Sequence, residues 1–434
     1  MQSSAIYQHV KHALEHFFKQ QQFNFTVALS GGVDSVVLLH VMHMLKQEMP
    51  KLNVSAIYVN HGLSEYANDW QAFCQNLCVE LDIPFNTAQV PISRQTRTSL
   101  EAQAREARYK ALDELSAPQS VILLGQHLND QIETFLLRLK RGSGLKGLGA
   151  MQAMRELQSG RICYRPLLNI VRSDIEHFAT AFNITHITDD SNTDERFDRN
   201  FLRARVVPEL AKRFKGFEQC AGRSIELLQQ QQTLLDEYTQ IDLSQSLNGQ
   251  QALCISQIIH YSDVRITNVV RAWLSLFTQV MPSQKQLSQI INQAINAQAD
   301  AKIQIDLVDG QVRRHQGYLY FVTQKNIVND DELITHELTL NDGRVLTKQR
   351  GAGIRTPHAN EQVSVRFNYN SARIKPLKKP GSNSVKHWFK DAKIAPWLRS
   401  QVPLIFYNDE LVQVVGYFIS EKHYDENGIY WECK

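Results

Sequence analysis

The chain lacks several features that would decide its class at once. In 434 residues no apolar run approaches the roughly 18–20 residues of a membrane span, so no membrane partner is expected. The segment Met1 to Phe23 is amphipathic and rich in Gln and His, without the continuous apolar stretch of a secretory signal. Six cysteines (Cys74, Cys78, Cys163, Cys220, Cys254 and Cys433) are too few and too scattered for a disulfide framework, and a reducing, cytoplasmic setting is expected. No Cys-x-x-Cys occurs; Cys74 and Cys78 read as two buried thiols on one helical face. There is no Gly-Lys-Ser or Gly-Lys-Thr, which excludes a Walker A loop. No fixed-period repeat is present, and the run Gln229 to Gln232 is too short to be low complexity. Apolar residues make up 43% of the chain, enough to bury cores and to exclude wholesale disorder.

Net charge is also small, +3 from 47 basic and 44 acidic side chains, but it is unevenly spread. Arg138 to Arg172 holds eight basic residues against Glu156 alone, and Arg344 to Ser400 holds thirteen against Glu361 and Asp391. The last 34 residues reverse the sign, with six acids and two lysines. Basic blocks in a nearly neutral chain point to a polyanion held at defined places, with solvated basic faces as the plain alternative.

The first 200 residues alternate strand-like apolar runs with helix-period segments. Strands are expected at Phe25 to Leu29, Val54 to Val59, Pro84 to Val90 and Ser120 to Leu124. Helices are expected at Ser35 to Leu45, Tyr66 to Leu81, Ser99 to Leu115 and Asp130 to Lys140. Such alternation predicts an α/β fold with a Rossmann-like parallel sheet, whose ligands sit beyond the carboxyl ends of the strands. The expected domains are 1–216, the catalytic sheet domain; 217–330, mainly helical; and 341–434, a small, basic α+β domain. Helices are expected at Ser224 to Leu243, Val264 to Thr278 and Lys285 to Ala297. Strands are expected at Ile303 to Val308, Gly317 to Val322, Leu404 to Tyr407 and Leu411 to Ile419.

The most specific motif is Ser30-Gly31-Gly32-Val33-Asp34-Ser35, between a predicted strand and a predicted helix. Two glycines let backbone N–H groups approach an anion, and the helix start adds unpaired donors and a positive dipole end. Ser30 and Ser35 can add hydroxyl donors. A carboxylate here, Asp34, makes sense chiefly as a Mg²⁺ ligand that bridges to phosphates. A second glycine pattern, Gly142 to Gly147, follows a helix and not a strand, so a dinucleotide site is rejected there. Arg141 to Lys146 is instead expected to be a mobile basic loop near phosphates.

The Ser-Gly-Gly-Val-Asp-Ser loop resembles the pyrophosphate-binding loop of the N-type ATP pyrophosphatases, the PP-loop family. Further segments narrow the likeness: Tyr58 to Leu63, Ser99 to Tyr109, Gly125 to Thr134, Arg141 to Gly144, Arg165 to Leu168, Asp189 to Asn192 and Arg199 to Pro208. In the C-terminal part Val363 to Phe367, Ala395 to Arg399 and Pro403 to Tyr407 continue it. In this order they resemble the tRNA(Ile)-lysidine synthetase family. The resemblance implies that ATP adenylates O2 of the wobble cytidine in an isoleucine tRNA with a CAU anticodon. The amine of free L-lysine then displaces AMP to give lysidine, so that AUA is read instead of AUG. ATP as co-substrate, Mg²⁺, that tRNA and lysine are the implied partners, and a homodimer is compatible with them.

The candidate residues follow. Ser30, Gly31, Gly32, Val33, Asp34, Ser35 and His61 would hold the nucleotide; Asp34 and Asp130 would hold the metal. Asp34, Asp130, Glu133 and Arg105 would carry catalysis. Asp130 and Glu133, spaced i and i+3 on one helix face, would bind Mg²⁺ or the cationic lysine; the same spacing also fits a helix-capping box. Some family members carry two aspartates where this chain has Asn129-Asp130, which puts the weight on Asp130. Arg105 and Arg108 would neutralise a phosphate or grip the tRNA. Arg199, Arg203, Arg205, Lys378 and Lys379 would contact tRNA. Missing cysteine pairs argue against sulfur-inserting relatives. Two other classes stay open: a small-molecule synthetase on the same nucleotide fold, and a nucleotide-gated RNA-binding protein without turnover.

Overall fold

The computed structural model describes residues 2–60, 62, 66–90, 100–188, 195–295, 303–323 and 332–433, and the chain forms two compact units, Met1–Glu237 and Tyr238–Lys434. The first unit is built on a six-stranded sheet. Its strands are β1 Asn24–Ala28, β2 Asn53–Asn60, β3 Phe85–Gln89, β4 Val121–Leu123, β5 Met154–Glu156 and β6 Ile162–Tyr164. The order is β3-β2-β1-β4-β6-β5, parallel throughout except for the edge strand β5. After β3 the chain crosses back past β1 to build the other half of the sheet. The order therefore reverses between β1 and β4, and the ends of those strands open the crevice where α/β sheets bind ligands.

The helices are α1 Ala5–Lys19, α2 Val33–Glu48, α3 Ala67–Glu80, α4 Leu100–Leu115, α5 Leu128–Lys140, α6 Leu145–Leu148, α7 Arg172–Ala181, α8 Asp198–Phe201, α9 Val207–Arg213 and α10 Phe217–Ser246. Helix α2 is apolar nearly all round, with Val36, Val37, Leu38, Leu39, Val41 and Met42 fully buried. Such a helix must be central, and it packs against β1, β2, α1 and α7. Register across the sheet is pinned by one buried polar residue. The Thr26 hydroxyl on β1 meets Ser55 Oγ on β2 at 3.0 Å and Ser120 Oγ, just before β4, at 2.7 Å. A one-residue slip would strand that hydroxyl in the core. Leu128 and Ile132 of α5 are buried with Val171 and Val207, which ties α5 to the segments that carry α7 and α9.

Expected strands and helices of the first unit appear within a few residues of their predicted ends. The expected mobile loop at Arg141 to Lys146 does not hold as a whole. Its second half opens helix α6, and Arg138 Nη1 donates to the carbonyls of Gly147 (2.7 Å) and Ala150 (2.8 Å) at the far end of that turn.

In the second unit, β7 Leu253–Cys254, β8 Gln304–Asp306, β9 Gln311–His315 and β10 Tyr318–Val322 form a sheet ordered β7-β10-β9-β8. It shares a core with α11 Ile255–Ile258, α12 Asp263–Leu274 and α13 Gln284–Gln289, centred on the fully buried Trp273. Strand β9 was not expected, because Arg313, Arg314 and His315 mask its period-2 pattern; Val312 is its buried residue. The rest is antiparallel: β11 Glu332–Leu333, β12 Glu337–Thr339, β13 Val345–Ile354, β14 Val363–Arg366, β15 Arg373–Ile374, β16 Asn383–Ser384, α14 Val385–Asp391, β17 Leu404–Tyr407, β18 Glu410–Val414, β19 Phe418–Ile419, β20 Tyr424–Asp425 and β21 Ile429–Cys433. The single strand expected at Leu411 to Ile419 is two, β18 and β19, paired antiparallel across a turn at Gly416 with φ +77°. Among the described residues no helix is long and apolar enough to cross a membrane.

Candidate active site at the carboxyl edge of the sheet

The loop between β1 and α2 sits at the reversal point of the strand order. Gly31 has φ +85°, and a Cβ there would stand 2.5 Å from Ile187 Cδ1, so both the turn and its packing require glycine. Gly32 caps α2, and Ser35 folds back over the loop. Ser35 Oγ donates to Gly32 O (3.0 Å), lies 3.1 Å from Ser30 Oγ and accepts from Ser30 N (3.1 Å). Across the crevice, Gly125 follows β4. A Cβ on it would lie 3.0 Å from Ser35 N, so glycine lets the two strand ends close on each other. That role was not read from the sequence, although Gly125 opens one of the quoted motifs.

The helix starts of α2 and α5 thereby bring three side chains together. His127, 1% exposed, stands between two carboxylates, with Nε2 3.6 Å from Asp34 Oδ1 and 3.5 Å from Asp130 Oδ2. Asp130 Oδ2 accepts from His127 N at 3.1 Å. Capping of α5 thus joins His127 to Asp130, rather than Asp130 to Glu133 as the spacing had allowed. Burial pushes the Asp34 carboxyl above the usual carboxylate range, against the pull of His127 and Arg172. Asp34 Oδ1 is buried and accepts no hydrogen bond.

Glu133 is 1% exposed one turn further along α5. Arg203 Nε and Nη2 bond its two oxygens at 2.7 and 3.0 Å, and Arg203 Nη2 also reaches Asp130 Oδ1 at 2.9 Å. Arg199 adds a contact to Glu133 at 3.4 Å and donates to Thr134 Oγ1 at 3.1 Å. Burial pushes the Glu133 carboxyl up, and the two-point bond to Arg203 opposes the rise without cancelling it. Arg203 lies in a π-helical turn, Leu202–Val206, 70 residues from Glu133. Asn129, where some family members carry a second aspartate, is used structurally. Its Oδ1 accepts from Arg172 N at 3.0 Å and its amide donates to Glu218.

The other candidates fall elsewhere. Arg105 is half-buried on α4 and stacks over the Tyr109 ring at 5.7 Å. Arg205 is exposed and pairs with Glu195 at 2.8 Å. Lys378 and Lys379 lie exposed in a turn of the second unit, Lys378 at φ +64° and Lys379 paired with Asp391 at 3.0 Å. His61 and the segment 189–194 lie outside the described residues. Cys74 and Cys78 are fully buried, and burial pushes both thiols up to about 12, which leaves them inert.

A glycine turn, a helix start and an unpartnered buried carboxylate oxygen at a strand-order reversal define a nucleotide site of the PP-loop class. Residues 5–210 match the PP-loop domain, residues 253–320 the TilS substrate binding domain and residues 363–433 the TilS substrate C-terminal domain. The tRNA(Ile)-lysidine synthase of Proteus mirabilis is 38% identical over 403 residues, 91% of each chain. That of Photobacterium profundum is 38% identical over 423 residues, 94% of this chain and 95% of its own. The chain belongs to the tRNA(Ile)-lysidine synthase family, PP-loop ATP-dependent ligases.

Proposed function

We propose that this protein joins free L-lysine to C2 of the wobble cytidine in the CAU-anticodon isoleucine tRNA, with release of pyrophosphate and AMP. The observation that carries the reading is the convergence of Asp34, His127, Asp130 and Glu133 beside the PP-loop at the strand-order reversal. In the first step the cytidine O2 attacks the α-phosphorus of ATP and pyrophosphate leaves. In the second the lysine ε-nitrogen attacks C2, loses a proton, and AMP departs with the oxygen. The loop's backbone donors and Ser30 hold phosphate oxygens; Arg105 meets negative charge that builds on the α-phosphate.

Asp34 and Asp130 suit Mg²⁺. Both are short carboxylates that converge on His127 from the two walls of the crevice, and Asp34 Oδ1 is buried without a hydrogen bond. Bound there, the ion would supply charge stabilisation on the phosphates. His127 holds the two carboxylates in place. Glu133 and Asp130 suit an ammonium: they already bind one cation, the Arg203 guanidinium, and a lysine amine would take over part of that contact. The segments 217–330 and 341–434 are proposed to hold the tRNA, a role that the matches to TilS domains support.

The test is mass spectrometry of the wobble cytidine after incubation with ATP and lysine. Lysidine mass on the CAU-anticodon transcript alone is the expected result. Pyrophosphate release that needs a small acceptor and no tRNA would favour the small-molecule synthetase. RNA binding without pyrophosphate would favour the non-catalytic reading.

A further inference from the structure

Two strands along from the PP-loop, at the carboxyl end of β6, lies a cluster of cations of which the chemistry above uses only Arg105. Arg165 is 3% exposed. Three of its guanidinium N–H groups meet neutral acceptors, the Gln126 side-chain oxygen, Gln152 O (2.8 Å) and Tyr109 Oη (2.9 Å), and one N–H on each terminal nitrogen remains. The Tyr109 ring in turn carries Arg155 at 4.8 Å and Arg105 at 5.7 Å. Arg138, at the end of α5, feels the charges of Arg105 and Arg141. Among the described residues no carboxylate pairs with Arg105, Arg138, Arg155 or Arg165. Glu133, five residues before Arg138 on α5, is already paired with Arg203. Like charges gathered around one tyrosine, with Arg165 buried among them, cost solvation and repulsion, and an anion is the partner that offsets both.

We propose that Arg155, Arg165 and Tyr109 bind a phosphodiester of the RNA strand next to the base that enters the crevice. This rests on the tRNA reading above and adds the place where the backbone is gripped. The alternative source of phosphate is ATP itself, and position argues against it. Strands are spaced roughly 4.8 Å apart, so β6 lies about 10 Å from β1 and β5 about 15 Å, the latter at the sheet edge. A triphosphate seated on the loop after β1 is anchored at the centre of the sheet. An RNA strand that delivers one base to the centre must leave over an edge. Arg155 sits on edge strand β5 and is exposed, suited to a chain that continues outward. Tyr109 orients the pair: its ring supports Arg155 and its hydroxyl holds Arg165 in a fixed fork, the geometry that grips phosphate oxygens in pairs.

The test uses the full chain and a CAU-loop RNA hairpin, with affinity measured from low to moderate salt, and ATP affinity measured separately. Arg155→Gln should weaken hairpin binding about threefold to tenfold and lower the salt slope by about one unit, with ATP affinity unchanged. Tyr109→Phe keeps the ring but frees Arg165 from its hydroxyl, and should weaken hairpin binding with the slope retained. An unchanged affinity and slope in Arg155→Gln would overturn the proposal while leaving the tRNA reading intact. A loss of ATP affinity equal to the loss of hairpin affinity would assign the cluster to the triphosphate and overturn it as well. Absence of hairpin binding by the unaltered protein would overturn both readings together.

Discussion

Charge is handled differently around α5 in the first unit and at the lysine pairs of the second. Around α5 the carboxylates are sunk in protein: the side chains of Glu133, Asp130 and Asp34 are 1%, 17% and 25% exposed, and each meets a cation or a histidine in fixed geometry. In the C-terminal part the lysine pairs Lys375–Glu421, Lys379–Asp391 and Lys422–Glu410 are open to water, whereas the arginine pairs Arg344–Asp342 and Arg355–Glu361 are not. Buried charges interact in low dielectric, pay for it in desolvation, and suit a step in which charge develops at one spot. Exposed cations interact weakly and through salt, and suit the gripping of a long polyanion by many small contacts. On the proposed function, the contrast would separate a place for chemistry from a place for holding.

If that separation is right, substitutions in the two regions should fail differently. The largest effect is expected from Asp34→Ala, which should cut pyrophosphate release about 100-fold or more, a barrier change of roughly 3 kcal/mol, with circular dichroism unchanged. Near-normal turnover would remove Asp34 from the chemistry. Next, Glu133→Gln should raise the KM for lysine by about 10- to 100-fold and leave that for ATP nearly unaltered, since a charge-assisted bond to an ammonium contributes about 1.5–3 kcal/mol. The same change leaves Arg203 without its two-point partner, so the variant should also melt earlier. Loss of stability with lysine KM intact would make Glu133 a structural anchor for the Leu202–Val206 turn.

A smaller effect is expected on the exposed side. Lys378→Ala with Lys379→Ala should weaken tRNA binding by several-fold and reduce the salt slope by up to about two units, with kcat at saturating tRNA unchanged. A fall in kcat would blur the division between the two regions. The smallest effect concerns stability alone. Folding disfavours the Asp34 charge, because burial raises its carboxyl. The penalty is absent at acid pH, grows as pH rises past the unfolded value, and is complete above the raised folded value. Calorimetry of ligand-free Asp34→Asn should therefore give a higher Tm than the unaltered protein at neutral pH, with the gap closing on acidification.

Much of the sheet unit was legible in the sequence, because it is written locally. Val27 and Val121 are core residues in short apolar runs, and the glycines and Asp34 of the loop stand between a strand and a helix period that announce themselves. Strand β9 was hidden by its arginines, and the helical turn α6 by the glycines around it. Lys378 and Lys379 were recognisable as a basic cluster, but their exposure in a turn with positive φ belongs to the folded chain.

What the sequence by itself determined is the order of elements, the phosphate loop, the acidic positions 34, 130 and 133, and the basic blocks, since each depends on neighbours along the chain. What the tertiary structure decided is who meets whom. Arg203, read as a tRNA contact, closes on Glu133 across 70 residues; Arg165 finds Tyr109 across 56; His127 becomes the post between Asp34 and Asp130. Those meetings follow from the strand order β2-β1-β4-β6, which sets the loops after β1, β4 and β6 side by side. Strand order is the outcome of packing α2 and its neighbours into one core, a non-directional burial of apolar area that no local pattern of charges encodes.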